Sequence, residues 1–217
     1  MILYGSSLSP FVRKVLAYAG EKGIELELRG TGFPNHHDEF CAASPFKKMP
    51  ALADGDFRLA DSTAIIHYLE AKHPDPALIP SDPELLGKTI WYEEFADTIL
   101  SACGAKMFFN RIVAPRFMGR PGDHEVADRA EREELPPLLD YLERVVPDED
   151  EGFLVGDTIT VADLAVASPF ANLGHLNVRI EDGRHRRLRR YVHRILERPS
   201  FATWIAREKE FFDQQAA

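Results

Sequence analysis

The chain has 217 residues, 45% of them hydrophobic and 28% charged, which is enough to build one large domain or two small ones around a buried core. A formal net charge of −9 argues against nucleic acid or an anionic membrane as a partner held by bulk electrostatics, although a small anion needs only local positive groups. The two cysteines, Cys41 and Cys103, lack CxxC or Cys/His spacing, so neither a disulfide framework nor a zinc site is expected.

Ile2-Leu-Tyr4 reads as a short strand ended by Gly5. Apolar residues then recur at helical spacing from Phe11 through Val12, Val15, Leu16 and Ala19, with Ser9 as N-cap, Pro10 at the first helical position and Gly23 at the stop. Glu25-Leu-Glu-Leu-Arg29 alternates as a second strand, parallel to the first through the crossover helix. One helical turn is expected around Asp38 to Ala43. Next come a buried strand after Met49-Pro50, a turn at Asp54-Gly55, and a strand over Phe57 to Ala60. Asp61-Ser62 opens a helix with Ala64, Ile65, Tyr68 and Leu69 on its apolar face.

His73 to Pro83 holds four prolines in eleven residues, an extended linker. Everything beyond it reads as helical: Glu84 to about Arg111, then Asp123 to Val146, which Pro136-Pro137 must kink or divide. Pro147 to Gly152 is an acidic loop. Thr160-Val-Ala-Asp163 matches a capping box with Asp in place of Glu, and a last helix follows Pro199-Ser200. The basic run Arg184 to Arg190 is interleaved with Leu188, Tyr191 and Ile195, which predicts a helix with an apolar stripe and a solvated face rather than a nucleic-acid surface. Adjacent His36 and His37 point apart and have no evident third ligand, so no metal is expected. The fold class is therefore α/β plus all-α, with residues 1–76 as the first domain, 77–83 as linker and 84–217 as a helical domain. No run approaches the ~18 apolar residues of a membrane span. The N-terminal segment does not look like a signal peptide. A cytoplasmic protein with no membrane partner is expected.

The stretch around Met49-Pro50 has a chemistry of its own. A proline before a strand can take its first position because it donates no ladder hydrogen bond. If the bond is cis, the Met49 N–H and C=O face outward beside the helix opened by Asp61-Ser62, where another peptide could pair like an added strand.

At Phe46-Lys-Lys-Met-Pro50, Asp61-Ser-Thr-Ala-Ile65, Phe153 to Leu164 and Arg198-Pro-Ser-Phe201 the chain resembles the glutathione transferases, in order and over nearly its whole length. The resemblance implies a thioredoxin-like N-terminal domain, a C-terminal helical bundle, a homodimer, and glutathione as co-substrate with no metal. It implies that Met49, exposed by Pro50, pairs with the cysteinyl backbone of glutathione. Asp61 would take the γ-glutamyl ammonium, and Ser62 with the helix amides the carboxylate. Lys48 and His36 correspond to positions that meet the glycine carboxylate or the cysteinyl backbone. Ser9-Pro-Phe-Val12 is similar to a Cys-Pro-Phe active-site form with oxygen in place of sulfur, which implies a catalytic Ser9 donating to the glutathione thiolate. Ser6 and Ser7 remain rivals in the same loop, and Tyr4 a more distant one. Phe11, Phe95, Met107, Phe108 and Arg111 are candidates to line a hydrophobic electrophile's pocket, although aromatic and Met positions on a helix are more often core.

Three functions compete on these residues. The first is transfer of glutathione to an electrophile, with lyase, isomerase or reductase chemistry by the same thiolate beside it. The second is a glutathione-binding protein of this fold with little turnover. The third, thiol–disulfide exchange, is disfavoured by the absence of cysteine at position 9.

Overall fold

A computed structural model describes residues 1–148, 151–180 and 183–214. The chain separates into two compact units: Met1–Ile79 together with the chain from Glu197 onward, and Pro80–Leu196.

The first unit is built on a four-stranded mixed sheet. Strand β1 (Ile2–Tyr4) leads into helix α1 (Pro10–Glu21), then β2 (Glu27–Arg29), α2 (Asp38–Ala43), β3 (Ala51–Asp54), β4 (Phe57–Ala60) and α3 (Ser62–Lys72). The strand order is β2-β1-β3-β4, with β1 parallel to β2 and antiparallel to β3. This is the thioredoxin-like arrangement expected. The β3–β4 hairpin turns on Gly55-Asp56, where Gly55 at φ +58° adopts the left-handed backbone that a tight turn requires. Leu3, Val12, Val15, Leu52, Ile65 and Leu69 are fully buried and form the centre of the unit.

The second unit is all-helical. It comprises α4 (Pro83–Glu94), α5 (Ser101–Phe108), α6 (His124–Arg129), α7 (Leu135–Val145), α8 (Val161–His175) and α9 (Arg186–Leu196). Three π-helical stretches, Phe95–Leu100, Phe109–Phe117 and Ala130–Glu134, are spliced between them. Pro115 lies inside the second, and the third runs directly into Pro136-Pro137. A proline has no N–H for the carbonyl one turn back, and widening the helix locally lets the path continue. The expected division at Pro136-Pro137 therefore takes the form of a widened turn. Helix α8 is buried along most of its length and packs against α4, α5 and α9, so it is the axis of this unit.

Two features depart from the sequence reading. Helix α10 (Pro199–Gln214), expected within a helical domain spanning 84–217, packs instead on α1 of the first unit. Two ion pairs fix it there, the buried Arg13–Glu208 and the part-buried Arg198–Glu21. The basic run does more than present a solvated face. Arg187, Arg190 and Arg194, spaced so that they share one side of α9, donate to the carbonyls of Val146, Asp148 and Gly152 respectively. Arg187 Nε also pairs with Asp148 at 2.7 Å, and Arg194 lies over the Phe153 ring. These arginines hold the described ends of the acidic loop, in which Glu149 and Asp150 lie outside the described residues. Among the described residues no helix is long and apolar enough to cross a membrane, and no cluster of three potential metal ligands occurs.

Candidate functional site

The strand register brings the candidate residues of the first unit together. Tyr4 at the end of β1 lies opposite Arg29 at the end of β2 and Ala51 at the start of β3, and Ala51 in turn lies opposite Ala60 at the end of β4. Four segments leave the sheet from that one end: the loop to Ser9, the loop 30–37 with His36, the Met49-Pro50 step and the Asp61-Ser62 step. Gly5 shows how closely they meet. A Cβ there would stand 2.5 Å from Val12 Cγ2 in the first turns of α1, which would force Val12 to shift, and at an ordinary contact distance of 3.5 Å from Met49 Cβ, so the position has no room for a side chain on its α1 side.

Ser9 caps α1, accepting the Val12 N–H at a long 3.5 Å, with Pro10 at the first helical position. An acceptor role toward the cap leaves the hydroxyl hydrogen available to donate elsewhere. Ser6 shapes the preceding turn, its hydroxyl accepting the Leu8 N–H at 3.4 Å and its carbonyl accepting the Ser9 N–H at 2.9 Å.

The Met49-Pro50 peptide is cis, Pro50 is buried, and Met49 is exposed with no hydrogen bond to its backbone among the described residues. Ser44, which sequence reading passed over, braces this step. Its buried hydroxyl donates to Lys48 O (2.6 Å) and accepts the Lys48 N–H (3.0 Å), so one side chain closes the loop onto itself. A Ser-Pro pair four residues before Lys48 was the available signal. Lys47 sits in the left-handed region at φ +55°, at a cost of about 1–2 kcal/mol for a residue with a Cβ, and Lys48 is exposed.

Asp61 has φ +82° and ψ 137° and accepts the Thr63 N–H at 2.9 Å, while Ser62 is buried in the first turn of α3. A non-glycine residue in that region costs on the order of 1–3 kcal/mol and persists only where its surroundings impose it, which is characteristic of ligand-binding positions. Lys14, also missed from sequence, is buried and reaches the same turn, with Nζ 3.5 Å from Thr63 Oγ1. His36 lies between Phe33 and Phe40 with its ring tilted against each, at centroid distances of 6.0 and 5.1 Å, and its Nδ1 lies 3.3 Å from Thr31 O. That contact makes Nδ1 the protonated nitrogen and Nε2 the atom left for a ligand.

The candidates for the electrophile pocket fall in different places. Phe11 is half-buried in the first unit. In the second unit Phe95, Met107 and Phe108 are core residues. Arg111 is already paired with Asp128 (2.7 Å) and Glu131 (2.5 Å), so its guanidinium is committed within its own unit. Of the cysteines, Cys41 is half-buried on α2. Burial, with Glu134 nearby, pushes the Cys103 thiol up to about 11, so it stays protonated and donates weakly to Ala130 O at 3.7 Å.

A thioredoxin-like sheet with a cis-proline edge, followed by a helical unit, defines the class of fold. The glutathione S-transferase N-terminal domain family matches residues 3–77, and the C-terminal domain family matches residues 112–208. The chain is 32% identical to the GST-like protein YibF of Escherichia coli over 182 residues, 82% of this chain and 83% of that one. It is 29% identical to human glutathione S-transferase theta-1 over 209 residues, 94% of this chain and 80% of that one. A glutathione S-transferase from Methylobacterium radiotolerans, solved in complex with glutathione sulfonate, superimposes with a TM-score of 0.76 at 29% identity, covering 94% of this chain and 93% of that one. The chain belongs to the glutathione S-transferase family.

Proposed function

We propose that this protein transfers the thiolate of glutathione to an electrophilic, hydrophobic small molecule. The observation that carries the reading is the convergence, at one end of the sheet, of an unpaired Met49 backbone, the strained Asp61-Ser62 helix start and the Ser9 cap. Each matches one part of the tripeptide. The Met49 N–H and C=O would pair with the cysteinyl residue as an added strand. Asp61 would take the ammonium of the γ-glutamyl end, and Ser62 with the first amides of α3 its carboxylate. Lys48 and His36 would meet the glycine end. Ser9 would donate to the sulfur.

A thiol of pKa about 8.5 is mostly protonated at neutral pH, and one hydrogen bond plus the N-terminus of α1 favour its ionised form. The thiol proton leaves to solvent, the sulfur attacks the electrophilic carbon, a C–S bond forms, and the leaving group departs with its bonding pair. Ser9 is never covalently modified. A cytoplasmic location is part of the same reading, supported by two cysteines that remain free thiols.

Glutathione binding, thiolate ultraviolet absorbance and turnover of a reactive aryl halide, measured in wild type and Ser9→Ala, test the proposal. A charge-assisted hydrogen bond contributes about 1.5–3 kcal/mol, so Ser9→Ala is expected to lose roughly 10- to 100-fold in kcat. Tight binding without a thiolate signal in wild type would instead point to a glutathione-binding protein with little turnover. Unchanged thiolate in Ser9→Ala would move the role to Ser6 or Ser7.

The homodimer belongs to the same proposal. The first unit exposes Phe46 at 87%, and the second exposes Ile90, Trp91 and Ile99. Apolar side chains of this size left in water favour a partner surface. Sedimentation is expected to give the mass of two chains, and Phe46→Arg to give that of one.

A further inference from the structure

Helix α10 shares a unit with Ser9 and is laced to α1 near both ends. At the C-terminal end of α1, Glu21 accepts from Arg198 Nε (2.7 Å) and Nη2 (2.6 Å) and from Ser200 Oγ (2.5 Å). Toward the N-terminal end, Arg13 donates from Nε to Glu208 Oε1 (3.1 Å) and from Nη2 to Glu208 Oε2 (2.8 Å). This second pair is a planar fork on a carboxylate, and its side chains are 0% and 1% exposed. Between the two pairs, a Cβ added to Gly20 would lie 3.1 Å from Ser200 Cβ, so the helices touch closely there. The Arg13 N–H also donates to Ser9 O at 2.9 Å, which closes the first turn of the helix that Ser9 caps.

We propose that Glu208 is a positioning residue for Ser9, acting through Arg13 to fix the first turn of α1 so that the Ser9 hydroxyl is held at the glutathione sulfur. The inference rests on the transferase reading above. Its physical basis is the kind of joint that has been used. Burying an ion pair is a poor way to gain stability, since apolar side chains of similar volume hold two helices at least as well. What the bidentate pair adds is direction, because a planar guanidinium on two carboxylate oxygens restricts both the rotation and the axial slide of α1. Ser9 lies one turn from that joint. A donor aimed at a developing charge must be held to within about half an ångström to be effective. The second clamp, at Glu21, secures the far end of α1.

The test is the pH titration of the thiolate of bound glutathione, followed by ultraviolet absorbance, together with kcat and KM for glutathione. The variants are Glu208→Gln, Glu208→Asp and the double variant Arg13→Met/Glu208→Leu. Glu208→Gln removes a negative charge from beside a buried guanidinium; if it does not fold, the double variant, which removes both charges and keeps apolar contact, supplies the readout. The double variant is expected to bind glutathione within about threefold of wild type while its thiolate pKa rises by ~1 unit, with kcat near neutral pH falling about tenfold. Glu208→Asp, which keeps the charge on a shorter reach, should fall between the two. A folded double variant with the wild-type thiolate titration and kcat would overturn the proposal, as would a loss seen only in KM or in melting temperature. Absence of a thiolate in the wild type itself would overturn the transferase reading and this inference with it.

Discussion

An Asp163→Ala variant is expected to lose at least about 4 kcal/mol of stability, most of the margin of an ordinary domain. The reason is the number of groups that turn to this one carboxylate at the start of α8. Oδ1 accepts the Leu154 N–H (2.9 Å) and the Tyr191 hydroxyl (2.7 Å), and Oδ2 accepts the Thr160 N–H (2.9 Å) and the Thr160 hydroxyl (3.2 Å). Burial pushes the carboxyl above its ordinary range in spite of these donors, and burial beside Asp163 pushes the Tyr191 hydroxyl well up as well. Alanine would leave the buried Thr160 N–H, the part-buried Leu154 N–H and the buried Tyr191 hydroxyl without this acceptor, at a cost of about 1–3 kcal/mol each, and would remove a helix cap. Asparagine is expected to rescue poorly. Each oxygen serves a backbone N–H, which can only donate, so either orientation of an amide sets its NH2 against one of them. Urea unfolding of wild type, Asp163→Ala and Asp163→Asn would measure this, and an Asn variant within about 1 kcal/mol of wild type would contradict the geometry.

The helix starts were legible because each carries its own chemistry. Ser9-Pro10 and Thr160 to Asp163 announce caps whose bonds the folded chain makes. The Met49-Pro50 step was legible for a related reason, as a backbone peculiarity written in local residue types, whereas at Asp61-Ser62 the sequence showed the cap but not the left-handed φ of Asp61. What sequence could not show was the partner of a helix face. Phe201, Trp204, Ile205 and Phe212 predict an apolar stripe on α10 but not the helix it meets. The clue lay in Glu208, seven residues after Phe201 on the same stripe: a charge at such a position implies a buried counter-charge, and Arg13 supplies it. Arg187, Arg190 and Arg194 hid in a similar way, because a run of arginines reads as solvated until the carbonyls of the facing loop are known. The electrophile side stayed illegible because Phe95, Met107 and Phe108 have the composition of core, and core is where they lie.

The clearest hidden device is Glu70, for which a Glu70→Gln variant is expected to lose about 3 kcal/mol near neutral pH and to melt roughly 6–12 °C lower. From α3 its carboxylate gathers the root of the linker. Oε1 accepts the N–H groups of Leu78 (3.1 Å) and Ile79 (3.3 Å), and Oε2 accepts the Tyr18 hydroxyl and Lys22 Nζ (2.6 Å), both from the region of α1. Lys22 donates to Pro76 O as well, at 2.5 Å. Residues 76–79 of the proline-rich segment are therefore held against α1 and α3 within the first unit. Glutamine keeps one oxygen for Leu78 and Ile79 but turns an NH2 toward the Lys22 ammonium, whose side chain is 0% exposed.

Burial raises the Glu70 carboxyl, but Lys22, Tyr18 and the Ile79 N–H outweigh it and hold the group below its ordinary value. A depressed folded pKa means that the unfolded chain binds the proton more readily. The stabilisation is thus complete above the unfolded value of about 4.3 and is lost as pH falls through the folded one. Unfolding measured at several pH values should accordingly show the gap between wild type and Glu70→Gln at full size near neutrality and narrowing in acid. A gap that stays constant with pH would remove the carboxylate from the account. Adding Lys22→Met to Glu70→Gln should recover most of the loss, because no buried ammonium then remains without its counter-charge.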